Sequence, residues 1–496
     1  MRRLPIACAG LMAVATLATS PRAARAQSAA DEVSRLTAAM LGDTPLMADL
    51  EYLTDRIGGR ATGSAANTRA LDWTLARFRE AGIDARKEPF TMPSLWLERA
   101  SSAEVKGDGV DFSPRVAAMP FSAATPAEGV TAPLVDGGRG TPDDFTRLGA
   151  TARGAFILIE QDELKDIDGL FKEYADAAEI EDRARQAGVR GVVYMGSRPN
   201  DLLYRHNVAI GDANRMPMLV METDGARRAL RIIRTGVALT LTERIAINAG
   251  GPYENYNVVG EIRGSTKPDE IVLIGSHLDS WDLGDGALDN GANAMLMIDI
   301  ARQFKRLGIR PQRTIRFALW NGEEQGMEGS FGYVRGHQQE LGRIVMTTAL
   351  DIGCGRINGF YTNGRADLLA PTERALQPVA GLGPFVQVNA PIVGTDNFDF
   401  MLNGVPNLVA NQEPATYGPN YHARSDTYDK CDAQQLRLNG AIIAALAYGF
   451  ANAPTALARD PRDRVEALMK TTDLPAQMKS MGVWDGWANG TRGYRP

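Results

Sequence analysis

Short apolar runs alternate with a helix-forming stretch in the second half of the chain. The stretch 292–307 has the period of a helix that ends at Gly308. Apolar runs of strand length lie at 271–275, 314–320, 344–350 and 405–410. This alternation is typical of a doubly wound α/β sheet.

The first half of the chain shows two different patterns of apolar and polar residues. Residues 31–82 follow a helical period, interrupted by a glycine-rich loop at 58–64. Residues 113–243 instead alternate strands with helices, and the strand candidates are 154–159, 191–195 and 216–220. This middle segment has no cluster of metal-ligating side chains, so we interpret it as an inserted α/β unit without chemistry of its own.

The N-terminus has the layout of a secretory signal peptide. Arg2 and Arg3 precede an apolar run over 4–18, and residues 24–26 form the small-x-small pattern of a cleavage site. We therefore predict a signal peptide at residues 1–26 and an exported protein, periplasmic or secreted. No later apolar run is long enough to cross a membrane, so we expect no span after signal removal.

The net charge excludes some classes of binding partner, and the cysteine content excludes a disulfide-based fold. The formal net charge of −6 gives no basic surface for nucleic acid or an anionic membrane. Three cysteines are too few for a disulfide scaffold. Cys8 would leave with the signal, and Cys354 and Cys431 could form a disulfide or remain two buried thiols.

Chemistry-bearing residues follow the predicted strands, at the edge where open α/β sheets bind ligands. A lone histidine or a lone helix-capping acid is usually structural, but here imidazoles and carboxylates recur together. His206 and His337 lack such company, and we expect them to be structural. The candidate residues are His277, Asp279, Asp289, Glu323, Glu324, Asp351 and His422.

This mixture of side chains predicts a metal centre. Imidazole and carboxylate ligands suit zinc, with cobalt or manganese as substitutes. A bridging carboxylate can hold two ions that share a water molecule and polarise a carbonyl group. In the adjacent pair Glu323 and Glu324, one carboxylate would bind metal while the other moves protons.

These residues resemble the M28 metallopeptidase family over 256–432 and 53–64. Residues 276–282, Ser-His-Leu-Asp-Ser-Trp-Asp, with Asp289 twelve positions after His277, are similar to the carboxypeptidase Q branch. The middle segment resembles the protease-associated domain that this branch inserts.

The resemblance implies a phosphorylase/hydrolase-like α/β fold, with three layers and a mixed sheet. The catalytic domain would comprise 27–110 and 246–458, with the protease-associated insert at 111–245. A tail at 459–496 would pack on the body or reach a neighbouring subunit, and a homodimer is a family-level expectation.

The resemblance also implies residue roles. Glu323 would be the general base, Asp279 would orient His277, and Asp426 would order the loop that carries His422. Two Zn²⁺ per chain would be held by His277 and Asp351 for one ion, Glu324 and His422 for the other, and Asp289 bridging both.

The function implied is that of an exported di-zinc exopeptidase that hydrolyses short peptides through a zinc-activated hydroxide. Aminopeptidase, dipeptidase and carboxypeptidase activities stay open. Residues 394–397 read Gly-Thr-Asp-Asn where the family often has Gly-Ser-Asp-His, which puts substrate contacts there in question. The alternatives are a single-zinc glutaminyl-cyclase-like acyltransferase and a non-catalytic receptor-like binding protein.

Overall fold

The computed structural model describes residues 21–206 and 216–493. Residues 1–20 of the predicted signal peptide, with Cys8, lie outside the described residues, as does Tyr494. The predicted cleavage site at 24–26 falls in the first helix, Pro21–Leu41. Within the described ranges, no helix combines the length and apolar character needed to cross a membrane.

Strands and helices alternate along the described chain. The strands are β1 (Asp84–Met92), β2 (Leu95–Gly107), β3 (Val110–Phe112), β4 (Val116–Ala118), β5 (Val130–Asp136), β6 (Phe156–Ile159), β7 (Gly191–Met195), β8 (Met218–Met221), β9 (Leu239–Gly250), β10 (Tyr253–Ile262), β11 (Lys267–His277), β12 (Arg313–Trp320), β13 (Ile344–Ala349), β14 (Ile357–Tyr361) and β15 (Asn407–Gln412). The α-helices are α1 (Pro21–Leu41), α2 (Leu46–Glu51), α3 (Ala65–Glu80), α4 (Pro142–Leu148), α5 (Ile167–Ala187), α6 (Thr223–Arg234), α7 (Ala292–Arg306), α8 (Glu328–Gly336), α9 (Leu369–Leu376), α10 (Phe398–Leu402), α11 (Tyr417–Asn420), α12 (Ala433–Ala451), α13 (Arg462–Thr471), α14 (Leu474–Ser480) and α15 (Trp484–Ala488).

We call the part of the chain predicted to be catalytic, 27–110 and 246–458, the catalytic part. It is built on a mixed sheet in the order β1-β10-β12-β11-β13-β15-β14. Its four central strands, β12, β11, β13 and β15, run parallel, and the outer pairs are antiparallel. Side chains of β11 alternate between two buried cores, with Val272 and Ile274 beside α7 and α12, and Ile271 and Leu273 beside α8 and α10. The predicted three-layer α/β class with a mixed sheet is confirmed.

The predicted strands of this sheet correspond to β11, β12, β13 and β15. The last one begins at Asn407, two residues later than the apolar run at 405–410 indicates. Pro406 lies between them, and a proline has no N–H to donate to the strand ladder. Helix α7 begins at Ala292 as predicted, directly after the segment Ala287–Gly291, in which Asp289 and Asn290 have non-helical backbone angles.

A second sheet has the order β3-β2-β9-β5-β6-β7-β8-β4, with β5 to β8 parallel. Helices α4, α5 and α6 lie between its strands along the chain. The long pair β2 and β9 carries this sheet from Leu95 to Gly250, beyond both ends of the predicted insert at 111–245. Those boundaries and the protease-associated identity of the insert stay predictions.

The C-terminal tail packs on the catalytic part of its own chain. Side chains of α13 and α14 share one apolar core with Met327, Phe398 and Leu402. The Arg492 guanidinium donates a hydrogen bond to the carbonyl oxygen of Gly326 at 2.8 Å. Of the two placements that the sequence leaves open for the tail, the described residues adopt the one on the body.

Cys354 and Cys431 form a disulfide, with their Cα atoms 5.4 Å apart. Cys354 follows β13 and Cys431 precedes α12, so the bond joins two loops at the same end of the sheet. Loop-closure entropy in the unfolded chain is the main source of stability from such a bond.

We predict that the free energy of unfolding of the double variant Cys354→Ser/Cys431→Ser is about 4 kcal/mol lower than that of the parent protein, because the bond closes a long loop. The two cysteines are separated by 77 positions. Denaturant unfolding at fixed temperature measures the difference. Alkylation of both thiols in the unfolded, non-reduced parent protein would contradict the disulfide.

Candidate metal centre

The predicted site residues meet at one edge of the catalytic sheet. Strands β11, β12 and β13 run parallel, so their carboxyl ends lie side by side. His277 is the last residue of β11, Glu323 and Glu324 follow β12, and Asp351 follows β13. The register of the sheet therefore brings together side chains that are far apart in sequence.

The candidate ligands form two groups that share one carboxylate. In the first ligand group, His277 Nε2 lies 2.9 Å from Asp351 Oδ1 and 3.2 Å from Asp289 Oδ1. In the second ligand group, His422 Nε2 lies 2.8 Å from Glu324 Oε2 and 3.4 Å from Asp289 Oδ2. All five side chains are at most 10% exposed. Asp289 thus directs a separate oxygen toward each group.

The two imidazoles are oriented by main-chain carbonyl groups. His277 Nδ1 lies 3.0 Å from the carbonyl oxygen of Asp279, and His422 Nδ1 lies 3.1 Å from that of Arg205. His422 has a positive φ of 55°, which is uncommon for a residue with a side chain. Its ring stacks on Tyr421, which helps to retain this backbone conformation.

Asp279 supports the site through two different atoms. Its carbonyl oxygen accepts from His277, whereas the nearer carboxylate oxygen lies 3.6 Å from that ring. The carboxylate instead accepts from the backbone N–H groups of Glu323 at 3.3 Å and Glu324 at 3.4 Å, and from the Thr62 hydroxyl at 3.0 Å. Asp279 therefore fixes both the imidazole and the glutamate pair.

Asp426 contacts two loops: its backbone N–H donates to the carbonyl of Ala423, next to His422, at 3.0 Å, and its side chain contacts the loop that carries Asp289. Its carboxylate accepts hydrogen bonds from the backbone N–H of Leu288 at 2.6 Å and of Asp289 at 3.1 Å. The loop fixed by this side chain is the one that carries Asp289, while Arg205 of the insert contacts His422.

The ionisable groups of the centre are crowded and buried. Burial raises the pKa of Glu324 to about 7 and that of Asp351 to about 6. Burial opposes ionisation of Asp289 too, but hydrogen bonds from His277 and His422 hold its pKa below the usual range. Burial lowers the pKa of His422, yet the Glu324 and Asp289 carboxylates together outweigh this effect and raise that pKa to about 9.

This donor set fits a divalent cation. Among the described residues, the ion-pair partners of Asp289, Glu324 and Asp351 are the two imidazoles alone. Glu324 Oε1 is buried with no hydrogen-bond partner in the described chain. Ligand atoms of His277, Asp289 and Glu324 lie within 4.8 Å of one another, as do those of His277, Glu323 and Asp351. Converging carboxylate and imidazole atoms with unmet charge are what such an ion requires.

Several supporting residues have little or no signal in the sequence. The Tyr417 hydroxyl donates to Asp289 Oδ2 at 3.1 Å, and the Asn290 amide donates to Asp351 Oδ1 at 2.9 Å. Asn290 could have been suspected from its position beside Asp289, but no pattern points to Tyr417. The contact of Arg205 with His422 joins two distant segments and has no local signal either.

The remaining two histidines lie away from the centre. His206 stacks on Tyr194 within the second sheet. His337 lies between Glu88, 3.0 Å from Nε2, and Glu340, 2.8 Å from Nδ1.

A cleft of about 280 Å³ opens onto the metal centre. Its walls come from the catalytic part, from the insert through Phe121, Phe171 and Tyr174, and from the tail through Met481. Gly394 and Thr395 line the cleft, but Asn397 is not among the lining residues, and its side-chain amide donates to the carbonyl of Ile392 at 3.3 Å. The position that departs from the M28 pattern therefore supports a cleft loop.

Comparison with known proteins gives a consistent picture. Residues 257–447 match the model of Peptidase family M28. Carboxypeptidase Q of Homo sapiens is 25% identical over 418 residues, covering 83% of this chain and 86% of that protein. An aminopeptidase of Bacillus subtilis (strain 168) is 24% identical over 410 residues, covering 80% of this chain and 83% of that protein.

Solved structures agree with these matches. A peptidase M28 precursor from Shewanella amazonensis SB2B is 26% identical, with a TM-score of 0.79 over 88% of this chain and 99% of that one. A zinc aminopeptidase from Bacillus subtilis, 22% identical, shares the fold with a TM-score of 0.66 over 85% of this chain and 98% of that one.

We predict that Asp426→Ala lowers the free energy of unfolding by about 3 kcal/mol in the presence of chelator, because two buried N–H groups lose their acceptor. Asp426→Asn keeps one carbonyl oxygen and should lose about half as much. Denaturant unfolding of both variants measures this. Wild-type stability in Asp426→Ala would show that the loop carrying Asp289 does not depend on this carboxylate.

Proposed function

Because this chain carries a peptidase domain of family M28 and is a metallopeptidase, we propose that it is an exported exopeptidase that uses two zinc ions to hydrolyse short peptides. The observation that carries the proposal is the pair of ligand groups that share Asp289. A non-catalytic binding protein that had kept only the fold would not need both complete groups of candidate ligands.

The candidate ligands divide into two groups, one for each metal position. His277 and Asp351 would hold one ion, Glu324 and His422 the other, and Asp289 would bridge them. Zinc accepts this mixture of nitrogen and oxygen ligands, and cobalt or manganese could replace it. A related enzyme with the same fold is named a zinc aminopeptidase, which supports zinc as the ion.

The ions, when bound, would activate a water molecule and polarise the scissile carbonyl group. Glu323 lines the cleft and has no ion-pair partner among the described residues. Burial raises its pKa well above the usual range, and the Asp351 carboxylate adds to that rise. Its place on the cleft wall, without an ion-pair partner in the described part of the chain, suits Glu323 to take a proton from the attacking water and to donate it to the leaving amine.

The remaining residues position these groups and shield the reaction. Asp279 holds the backbone of Glu323, so the general base keeps its place beside the cleft. Aromatic and aliphatic side chains from the insert and the tail surround the cleft and restrict water.

The enclosed cleft favours short peptides over folded proteins. Its acidic side chains, as far as the structure describes them, are Asp289, Glu323, Glu324 and Asp351, and the histidine that lines it is His422, all at the metal centre. A separate charge that would select one peptide terminus is not among these lining residues. Relatives are named carboxypeptidase and aminopeptidase, so aminopeptidase, dipeptidase and carboxypeptidase activity are the three forms to distinguish.

We predict that Glu323→Gln retains two zinc ions per chain while kcat falls by ~10²–10⁴, the usual contribution of general acid–base catalysis. Glu324→Gln is the matched control, because the same change at the neighbouring residue should reduce the metal content. Metal analysis beside steady-state kinetics measures both. Loss of metal in Glu323→Gln would make that residue a ligand, and wild-type kcat would remove it from the mechanism.

We predict that dipeptides are hydrolysed by the purified enzyme, that a chelator abolishes the activity, and that added zinc restores it. Substrates with one blocked terminus identify the exopeptidase type, because the block that stops cleavage marks the terminus that is recognised. One zinc ion per chain without cleavage would favour the cyclase-like alternative, and absence of metal binding would favour a binding protein.

A further inference from the structure

The insert contacts the metal centre through a short antiparallel pairing between residues 203–205 and 422–424. The backbone N–H of Arg205 donates to the carbonyl of His422 at 3.0 Å, and that of Arg424 donates to the carbonyl of Leu203 at 3.0 Å. Between them, Tyr204 and Ala423 form an antiparallel bridge. The loop that carries His422 is thus paired with the insert.

The same segment supplies the hydrogen-bond acceptor for the imidazole of His422. Its Nδ1 lies 3.1 Å from the carbonyl oxygen of Arg205. This contact places the proton on Nδ1 and leaves Nε2 free to face Asp289 and Glu324. Partners of this kind fix both the tautomer and the ring orientation of a metal-binding histidine.

The side chain of Arg205 holds this carbonyl in place. Its guanidinium is 2% exposed and forms an ion pair with Glu98 of β2. It also donates to Asp282 Oδ1 at 2.8 Å and to the carbonyl of Ala118 at 2.8 Å. Asp282 lies in the loop that follows His277, so one buried side chain ties the insert to the catalytic part.

A second buried arginine secures the neighbouring residue. Arg198 Nε donates to the carbonyl of Tyr421 at 3.1 Å, and its Nη1 lies 3.0 Å from Glu173 Oε2 of α5. The Tyr174 and Tyr421 hydroxyl oxygens lie 2.5 Å apart. The backbone on both sides of the His422 imidazole is therefore held from the insert.

The first ligand group has no comparable tie to the insert among its described contacts. His277 is oriented by the carbonyl of Asp279, and Asp351 accepts from Asn290, both within the catalytic part. Among the described contacts, the insert therefore bonds directly to His422 of the second group and reaches the first group only through Asp282, in the loop that follows His277.

We infer that Arg205 is a positioning residue through which the insert sets the metal affinity of the second ligand group, Glu324 and His422, independently of the first. This inference rests on the proposed two-ion function. It gives the insert a role in the metal centre itself, in addition to lining the cleft.

The test is cobalt and zinc binding to Arg205→Ala, followed by competition with a chromogenic chelator. One of the two sites should bind about 10–100-fold more weakly, the usual effect of removing a partner that orients a ligand. The cobalt absorption spectrum of the site that remains should match that of His422→Ala and differ from that of His277→Ala. Arg205→Lys should recover part of the affinity, since lysine keeps the charge but not the fork of donors.

The matched control is Arg234→Ala, which removes ion pairs with Asp136 and Glu160 inside the insert and should leave both sites unchanged. If Arg205→Ala does not fold, Glu98→Gln weakens the same ion pair and should show the same selective loss. Wild-type affinity at both sites of a folded variant, or a residual spectrum like that of His277→Ala, overturns the inference. Failure of the parent protein to bind two ions would overturn the proposed function instead.

Discussion

The position of the Asp289 carboxylate between two imidazoles is the arrangement on which the rest of the site depends. Each of its oxygens faces a different histidine, at 3.2 and 3.4 Å. A buried carboxylate in this position is costly unless its charge is compensated, and further carboxylates from Glu324 and Asp351 add to that cost. The sheet, the loops and the insert all contribute contacts that keep these like charges together in the absence of an ion.

Several parts of the chain hold these side chains together. The parallel strands β11, β12 and β13 bring His277, the glutamate pair and Asp351 to one edge. Asp426 and Tyr417 hold Asp289, and the Arg205 carbonyl of the insert accepts a hydrogen bond from His422. The tail closes the cleft with Met481. Ligation, orientation and enclosure thus fall to different segments, so substitutions in each should affect different measurable properties.

Much of the fold, and the grouping of the candidate residues at one edge of the sheet, could be predicted from sequence because their signals are local. A buried parallel strand is a continuous apolar run, and the polar residues after it lie at a known edge of the sheet. Five such residues after three strands and in two loops already predicted a metal centre. Start positions such as that of β15 were less accurate, because a proline before Asn407 shifts the beginning of the ladder.

Contacts between distant segments could not be predicted in this way. The hydrogen bond from His422 to the carbonyl of Arg205 depends on how the insert docks, and main-chain acceptors leave no trace in residue type. The disulfide of Cys354 and Cys431 depends on the distance between two loops that the sequence does not give. Asp279 was identified as a support for His277, but the use of its carboxylate by the glutamate pair became visible only in three dimensions.

The most direct test of a centre bridged by Asp289 is anomalous diffraction at the zinc edge from crystals of the zinc-loaded protein. We expect two peaks about 3.5–4 Å apart, the usual spacing of paired catalytic ions. One peak should lie beside His277 and Asp351 and the other beside Glu324 and His422, with Asp289 between them. A single peak at full occupancy, or two peaks without Asp289 between them, would contradict a centre bridged by Asp289.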